Sequence, residues 1–174
     1  SEAVWPRVMA HVGTYHTGLV DDETFHTFWA LAQQGLPLVP QSADRPDKAH
    51  NKAVVAVLKY NAERLREGKP ENTVTHILFL DADHKHPPEI VQQLARAVRE
   101  DPTRLVVAAL NFRRSEPWDP CAYEIDGNGD SSVWLNWTPG VYPVSVTGMA
   151  AMLVNVEVFQ QIDWPFFGYD YSHA

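Results

Sequence analysis

The sequence predicts an α/β fold: a mostly parallel central sheet with helices on both faces and a smaller antiparallel addition in the second half. Strand and helix patterns alternate up to about residue 110, which is typical of a parallel sheet covered by helices. The run Val74–Leu80 is almost entirely apolar toward its end, as expected for a strand buried on both faces. After Asn111 the pattern changes to short strand candidates separated by turn residues, which favours antiparallel strands.

Four strands and three helices are expected in the first half. Each strand candidate is a short apolar run with Gly, Pro or polar residues at its ends. The strands are expected at Val8–Val12, Leu36–Val39, Val74–Leu80 and Leu105–Leu110. Each helix candidate carries apolar residues three or four positions apart, so one face is expected to be buried. The helices are expected to begin near Asp22, at Asp47 as a cap, and at Pro87-Pro88, and to end near Gly35, Glu67 and Asp101-Pro102.

The second half is expected to begin with a β-hairpin. Its strands, Cys121–Ile125 and Ser132–Trp137, flank the turn-rich segment Asp126-Gly127-Asn128-Gly129-Asp130. Two further strands are expected at Val141–Val146 and Met149–Val154, followed by a short helix at Glu157–Ile162. We expect these elements to be antiparallel additions to the first half, in which strands and helices alternate.

Composition limits the class of protein. The 174 residues are 45% hydrophobic and 21% charged, as in ordinary soluble domains. The formal net charge of −8 disfavours nucleic acid as the main partner. Cys121 is the only cysteine, so no internal disulfide is expected. No apolar run is long enough for a transmembrane segment, and no signal-peptide pattern is seen. We therefore expect a cytoplasmic protein, either free or peripheral to a membrane, with residues upstream of Ser1.

The segment Ile77–Asp83 carries the most chemical information. Asp81 and Asp83 follow a buried strand, and ligands bind beyond the carboxyl ends of parallel strands. In an extended backbone, a spacing of two residues points both carboxylates to the same side. Two such carboxylates favour a hard cation such as Mn²⁺ or Mg²⁺, which also takes oxygens from a diphosphate. The alternative interpretation is a solvated acidic turn before a helix.

Three stretches of the sequence resemble family 2-like glycosyltransferases of the GT-A type, notably bacterial and phage-type members. The first is Phe79-Leu80-Asp81-Ala82-Asp83 followed by Pro87-Pro88-Glu89-Ile90. The second runs from Val146 to Val154 and continues through Val158-Phe159 and Trp164-Pro165-Phe166. The third is His50-Asn51, where the family often has Arg-Asn. In the same order and rough spacing as in the family, they span about residues 8 to 168.

The resemblance implies a single GT-A (Rossmann-like) nucleotide-sugar-binding domain over residues 1–174. Residues 1–110 would form the nucleotide-binding half, and residues 111–174 an acceptor-side half that is incomplete at its C-terminus. The implied enzyme is a hexosyltransferase-type glycosyltransferase that moves a sugar from a UDP- or GDP-linked donor. The acceptor would be a hydroxyl group of a glycan or another molecule, and the cofactor would be Mn²⁺ or Mg²⁺.

The resemblance also implies roles for individual residues. Asp81 would contact the ribose or the metal, Asp83 would bind the metal, and His173 would be a third ligand. Residues expected to contact the nucleotide base are Thr14, Tyr15 and Asp44. Residues expected at a helix start, where they favour phosphate, are Asn51 and Lys52. On the acceptor side, Gly148 would allow close backbone approach, and Trp134, Trp137 and Trp164 are candidates for stacking on a sugar, with Trp137 preferred.

The catalytic base is the point at which the sequence departs from the family. Inverting members usually carry a Glu-Asp pair after the Pro-x-Phe stretch, with the Asp as general base. Here Asp170 is the candidate, without a preceding Glu, and the sequence stops at Ala174. Either a C-terminal portion is missing or the chain is a minimal variant.

Three other functions remain open from the sequence. A nucleotidyltransferase would use a similar sheet and metal, but the segment Gly13–Gly18 has few glycines and no Lys or Arg to hold phosphate. A zinc hydrolase would use Asp81 and Asp83 with His84 and His86, although solvation of this loop is the expected state of the two histidines. A binding module of glycosyltransferase ancestry would bind the donor without turnover.

Overall fold

A computed structural model describes residues 5–13, 22–39, 44–113, 115–135 and 138–168, with side chains except at 22–24 and 27–28. It has a mixed α/β architecture. The strands are β1 (Val8–Gly13), β2 (His76–Asp81), β3 (Val106–Ala108), β4 (Ala122–Ile125), β5 (Ser131–Val133), β6 (Val146–Thr147) and β7 (Ala151–Asn155). The helices are α1 (Asp22–Gln33), α2 (Pro46–Arg66), α3 (Ile90–Glu100) and α4 (Val158–Gln161), with a short 3-10 turn at Pro70–Asn72.

The central sheet has the strand order β1-β2-β7-β3 and is mixed. β1 and β2 are parallel, whereas β7 is antiparallel to both of its neighbours. The prediction of a mostly parallel sheet is therefore wrong. After β3 the chain builds its second sheet and re-enters the central sheet at Ala151, and the described residues between the two strands (109–113, 115–135 and 138–150) contain no helix. Without a crossover helix, the returning strand starts at the edge where β3 ended and runs in the opposite direction.

Apolar side chains of β2 point alternately to the two faces of the sheet. Leu78 and Leu80 pack in a cluster with residues of α1 and α3. Ile77 and Phe79 pack in a second cluster with residues of α2 and α4. All four side chains are almost completely buried. The predicted placement of helices on both faces is thus confirmed.

Several predicted boundaries differ from the structure. Pro46 is the first residue of α2 and Arg45 its cap, so the prediction of Asp47 as the cap is wrong; a proline is well tolerated at this position because its missing N–H has no helical partner. α3 begins at Ile90, and Pro87 lies in the preceding turn, where its carbonyl accepts a hydrogen bond from the Ile90 N–H. The predicted strand Leu36–Val39 is reduced to one parallel bridge between Leu38 and Ala10.

The predicted hairpin is confirmed. β4 and β5 are antiparallel and join β6 in a second sheet of order β5-β4-β6. The Asp126 side chain accepts hydrogen bonds from the backbone N–H groups of Asn128 and Asp130, which closes the turn. The predicted strand Val141–Val146 is wrong except at its last residue, since β6 is only Val146–Thr147. Within the described ranges, the structure contains no helix with the length and apolar character needed to cross a membrane.

Candidate functional site

The carboxyl ends of β1 and β2 meet at one edge of the central sheet, which we call the carboxyl edge. The last residues of the two strands, Gly13 and Asp81, are paired in the parallel ladder. The Asp81 N–H also donates to the carbonyl of Ala150, just before β7, at 2.9 Å. The position of Asp81 is therefore fixed from both sides by backbone pairing.

Asp81, Asp83 and His84 form a group that has the composition of a metal site. One potential ligand atom from each residue lies within 4.8 Å of the others. β2 ends at Asp81, and residues 82–84 form a turn whose Ala82 side chain is buried. The expected extended geometry of Asp81-Ala82-Asp83 is thus wrong: a turn, not strand alternation, brings the two carboxylates together.

The donor set of this group fits a divalent cation. The two carboxylates supply hard oxygen atoms, which suit Mg²⁺ and Mn²⁺, and the imidazole adds a nitrogen ligand that also suits zinc. The Nδ1 atom of His84 lies 2.9 Å from Oδ1 of Asp83, and 52% of the Asp83 side chain is exposed. A cation arriving from solvent would therefore meet a partly open, negatively charged group.

His86 lies behind this group and is buried, so the expectation that the histidine loop is solvated is wrong for this residue. Its Nε2–H donates to the backbone carbonyl of Asp81 at 2.8 Å. Burial lowers the pKa of His86, and the hydrogen bond to Asp81 opposes that effect. The ring of His84 stacks on it, with ring centroids 6.2 Å apart. His86 thus supports the acidic turn through the Asp81 carbonyl.

A cavity of about 480 Å³ opens beside the acidic turn. It lies between the turn, the residues that follow β3 and the residues that begin β7. Its lining residues are Asp83, His84, Lys85, His86, Pro87, Ile90, Ala109, Leu110, Asn111, Phe112, Ala150 and Ala151. The volume suits a small organic ligand, and the lining mixes apolar walls with a few polar groups, as ligand pockets usually do.

Gly148 lies at the junction between the cavity and the second sheet. A Cβ atom at this position would lie 2.7 Å from Oδ1 of Asn111 and 3.1 Å from Cβ of Cys121. The Gly148 N–H donates to the Cys121 carbonyl, and the Cys121 N–H donates to the Asn111 carbonyl. Gly148 therefore permits a close approach of its backbone to Asn111, and its expected proximity to a sugar or acceptor stays a prediction.

The predicted nucleotide contacts on α2 are engaged with the protein itself. Because α2 begins at Pro46, Asn51 and Lys52 lie in its second turn and not at the helix start, which corrects that part of the prediction. The Asn51 side chain accepts from the Phe167 N–H at 3.2 Å and donates to the Phe167 carbonyl at 2.7 Å. The ammonium group of Lys52 forms an ion pair with Asp44. Asn51 thus holds the backbone of residue 167 close to α2.

A buried aromatic cluster lies between β1, β2 and α2. The rings of His11 and His50 are 5.4 Å apart, and both contact Phe79. Burial, reinforced by the neighbouring His50, lowers the pKa of His11 to about 4. Burial also lowers the pKa of His50, while the carboxylates of Asp81 and Asp47 oppose the shift. Both histidines are therefore neutral near pH 7 and serve as packing residues behind Asp81.

Five of the predicted site residues lie outside the described part of the chain. They are Thr14, Tyr15, Trp137, Asp170 and His173. The base-binding loop, the general base and the third metal ligand therefore stay predictions. Among the described residues, the structure brings together Asp81 and Asp83, whereas Asp44 and Lys52 form an ion pair with each other.

Sequence reasoning missed two residues that the structure brings to this region. His11 lies in an apolar strand pattern, and a lone polar residue there was a signal of a buried polar group. Asn111 directly follows the predicted fourth strand, which also places it at the carboxyl edge, and it lines the cavity. No signal in the sequence indicated that Asn111 would pack against Gly148.

Comparison with known proteins adds no assignment. No protein-family model matches the sequence, and no curated protein is significantly similar to it. The chain is therefore characterised by its mixed α/β architecture, its second antiparallel sheet and the geometry of its carboxyl edge.

Proposed function

We propose that this protein is a metal-dependent glycosyltransferase of the GT-A type. It would transfer a sugar from a UDP- or GDP-linked donor to a hydroxyl group of an acceptor, with Mn²⁺ or Mg²⁺ as the cofactor. The proposal joins the sequence resemblance to the arrangement of the carboxyl edge. The observation that carries it is the group Asp81, Asp83 and His84 at the end of a buried parallel strand, beside a cavity of about 480 Å³.

The residues of the acidic turn have distinct parts in this proposal. The carboxylates of Asp81 and Asp83 would hold the cation, which when bound supplies positive charge to a departing diphosphate. His86 keeps the turn in place through its hydrogen bond to the Asp81 carbonyl. The Asp81 N–H, bonded to the Ala150 carbonyl, ties the turn to the start of β7. These contacts fix the backbone of Asp81, which carries one of the two carboxylates.

The cavity would hold the sugar that is transferred. Its wall after β3 carries Asn111, whose amide group is suited to hydrogen bonding with hydroxyl groups. Its opposite wall is the acidic turn, so a sugar placed between them would have its leaving group close to Asp83. Asp170 remains the proposed general base, since a carboxylate within reach of the acceptor hydroxyl is what the reaction requires.

Isothermal titration calorimetry of UDP and GDP, each with and without Mn²⁺, tests the proposal. We expect one nucleotide to bind with metal present and to bind at least about tenfold more weakly in Asp83→Asn, because a direct ligand is lost. Asp83 is exposed, so this substitution is expected to leave the fold intact. Glu71→Gln, at an exposed acid in the 3-10 turn at the other end of β2, is the matched control and should bind like the original chain.

Absence of binding by either nucleotide to the folded protein would contradict the proposal. Equal loss in Asp83→Asn and Glu71→Gln would also contradict it, because the effect would then be one of overall charge. Nucleotide binding that does not depend on Mn²⁺ would support a nucleotide site and contradict the proposed role of the metal.

A zinc hydrolase is the second candidate, and one observation favours it. His84 belongs to the acidic group, and imidazole nitrogen and carboxylate oxygen atoms are both zinc ligands. The calorimeter separates the two candidates if Zn²⁺ is titrated alone, without nucleotide, into the original protein and into His84→Gln. Tight one-to-one zinc binding that His84→Gln abolishes, together with no nucleotide binding, would favour the hydrolase.

A further inference from the structure

A second cavity, which we call the β4–β5 groove, lies on the three-stranded sheet. Its volume is about 450 Å³, and it is lined by Glu124, Val133, Trp134, Leu135, Tyr142 and Pro143. None of these residues belongs to the acidic turn or lines the first cavity. The groove is therefore a separate feature of the surface.

Two aromatic rings form one wall of the groove. The rings of Trp134 and Tyr142 have centroids 5.3 Å apart and planes inclined at 49°. The Trp134 N–H donates to the Ala122 carbonyl at 2.9 Å, which extends the hairpin ladder and fixes the backbone of the tryptophan. Both side chains remain partly accessible. An accessible, inclined pair presents an apolar face together with two polar tips, the indole N–H and the phenol hydroxyl.

The position of the Tyr142 ring is set by the backbone beneath it. A Cβ atom at Gly140 would lie 3.0 Å from Cε2 and 3.1 Å from the hydroxyl oxygen of Tyr142. The ring therefore packs against the glycine backbone, and a side chain at this position would have to displace it by a few tenths of an ångström. A ring that is already packed in this way would lose less conformational freedom when a ligand binds.

The charge of the groove limits what it accepts. Among the described residues that line the groove, Glu124 is the one acidic residue, and none is Lys, Arg or His. An anionic ligand such as a phosphate or an acidic sugar would be repelled. A carboxylate accepts hydrogen bonds strongly, so a ligand rich in hydroxyl groups is favoured. A neutral pyranose meets both conditions, because its C–H face packs on an aromatic ring while its hydroxyl groups reach a carboxylate.

We propose that the β4–β5 groove binds a neutral glycan chain, with Trp134 and Tyr142 as the stacking surface and Glu124 as the hydrogen-bond acceptor. If the protein is a glycosyltransferase, this glycan is the acceptor, and that role rests on the proposed function. The second sheet connects directly to the carboxyl edge, since β6 leads through Gly148 to Ala150, the hydrogen-bond partner of Asp81. A glycan chain held in the groove would therefore lie on a sheet that is joined through a short segment to the acidic turn.

Saturation-transfer NMR on the full chain tests the binding. The neutral probes are maltohexaose, cellohexaose and chitohexaose; the acidic probe is hexagalacturonate; and a ten-residue proline peptide represents a protein partner, since aromatic grooves also bind such peptides. We expect at least one neutral hexasaccharide to bind and the acidic one to bind more weakly. Trp134→Ala should weaken the neutral ligand by roughly tenfold or more, as loss of a central aromatic contact usually does.

The matched control is Trp29→Ala. Trp29 is an exposed tryptophan that stacks on Phe25 of α1, with ring centroids 6.2 Å apart. The substitution therefore removes a similar ring from another surface. It should leave glycan binding unchanged. Glu124→Gln lies at an exposed position and is expected to keep the fold. It should narrow the difference in affinity between the neutral and acidic probes, so the groove can still be tested if Trp134→Ala does not fold.

The inference is overturned if no neutral hexasaccharide binds, if the proline peptide binds in their place, or if Trp29→Ala and Trp134→Ala reduce binding equally. Its failure is distinguishable from failure of the proposed function. Glycan binding without metal-dependent nucleotide binding would support the groove as a glycan site and contradict the transferase proposal. Metal-dependent nucleotide binding without glycan binding would support the donor site and contradict the proposal for the groove.

Discussion

The two sheets of this protein use their side chains in different ways. In β2, every residue from His76 to Leu80 is buried, with helices covering both faces. In β4, only Ala122 is buried, and Ile125 is 47% exposed. The strand β2 therefore belongs to the core and reaches solvent at its end, where Asp81 lies, whereas β4 leaves three of its four residues at least partly exposed. Burial on both faces stabilises a strand and leaves its two ends as the places where polar groups can meet solvent.

The largest expected effect is on the stability of the central sheet. Phe79→Ala removes a ring that packs against His11, His50 and Phe167. The loss of apolar contact and the cavity left behind should reduce the free energy of unfolding by about 3–5 kcal/mol, measured by urea denaturation. Phe79→Leu should cost less and provides a measurable variant if Phe79→Ala does not fold.

Ile125→Ala in β4 is the matched control for that comparison. Because Ile125 is half exposed, its truncation should change the free energy of unfolding by about 0.5 kcal/mol or less. Similar losses for Phe79→Ala and Ile125→Ala would break the distinction between the two sheets.

A second effect concerns the pH dependence of the central sheet. Burial lowers the pKa of His11 from 6.5 to about 4, so the folded state binds fewer protons than the unfolded state between these values. The contribution of neutral His11 to the free energy of unfolding is therefore fully present above pH 6.5 and is lost as the pH falls toward 4. For a pKa shift of this size the loss is about 3 kcal/mol. His11→Leu should flatten the fall, as measured by urea denaturation at several pH values.

The control for this measurement is His26→Gln, since His26 is exposed on α1. It should leave the pH dependence as it is in the original chain. A steep fall between pH 6.5 and 4 that persists in His11→Leu would assign the effect to His50, His76 or His86, whose pKa values burial also lowers.

The smallest effect is expected at the junction between the sheets. Gly148→Ala places a Cβ atom 2.7 Å from Oδ1 of Asn111, so the amide group must move. We expect a loss of about 1–3 kcal/mol in the free energy of unfolding, typical of overpacking. The double variant Gly148→Ala/Asn111→Ala should recover part of that loss because the main clash is gone. Additive losses in the double variant would show that the strain lies instead at Cβ of Cys121.

The elements that the sequence predicted well are those with a strong local pattern. β1, the body of β2 and the β4–β5 hairpin follow from apolar runs and from the turn chemistry of Asp126–Asp130. α3 was predicted from its apolar stripe, but its start was wrong because Pro87 lies in a turn whose carbonyl accepts from Ile90. Local patterns thus indicate that an element exists, and neighbouring contacts decide where it begins.

The candidate site shows the same division. The proximity of Asp81 and Asp83 was predicted, but for a strand geometry that the structure replaces with a turn. The roles expected for Asn51 and Lys52 assumed a helix start, and both side chains instead bond within the protein, to Phe167 and Asp44. A polar side chain in a sequence does not reveal whether a partner more than a hundred residues away has already engaged it.

The sequence by itself determined the alternation of strands and helices, the burial of β2 on both faces and the two acidic residues that follow it. These depend on the order and period of apolar residues, which are local properties of the chain. Only the tertiary structure decided that β7 runs against its neighbours, that His11 and His50 meet behind Asp81, and that Trp134 and Tyr142 share a groove with Glu124. The first two depend on contacts between residues distant in the sequence, which form only when the core packs. The third depends on how the β4–β5 hairpin and the loop after it fold back on each other.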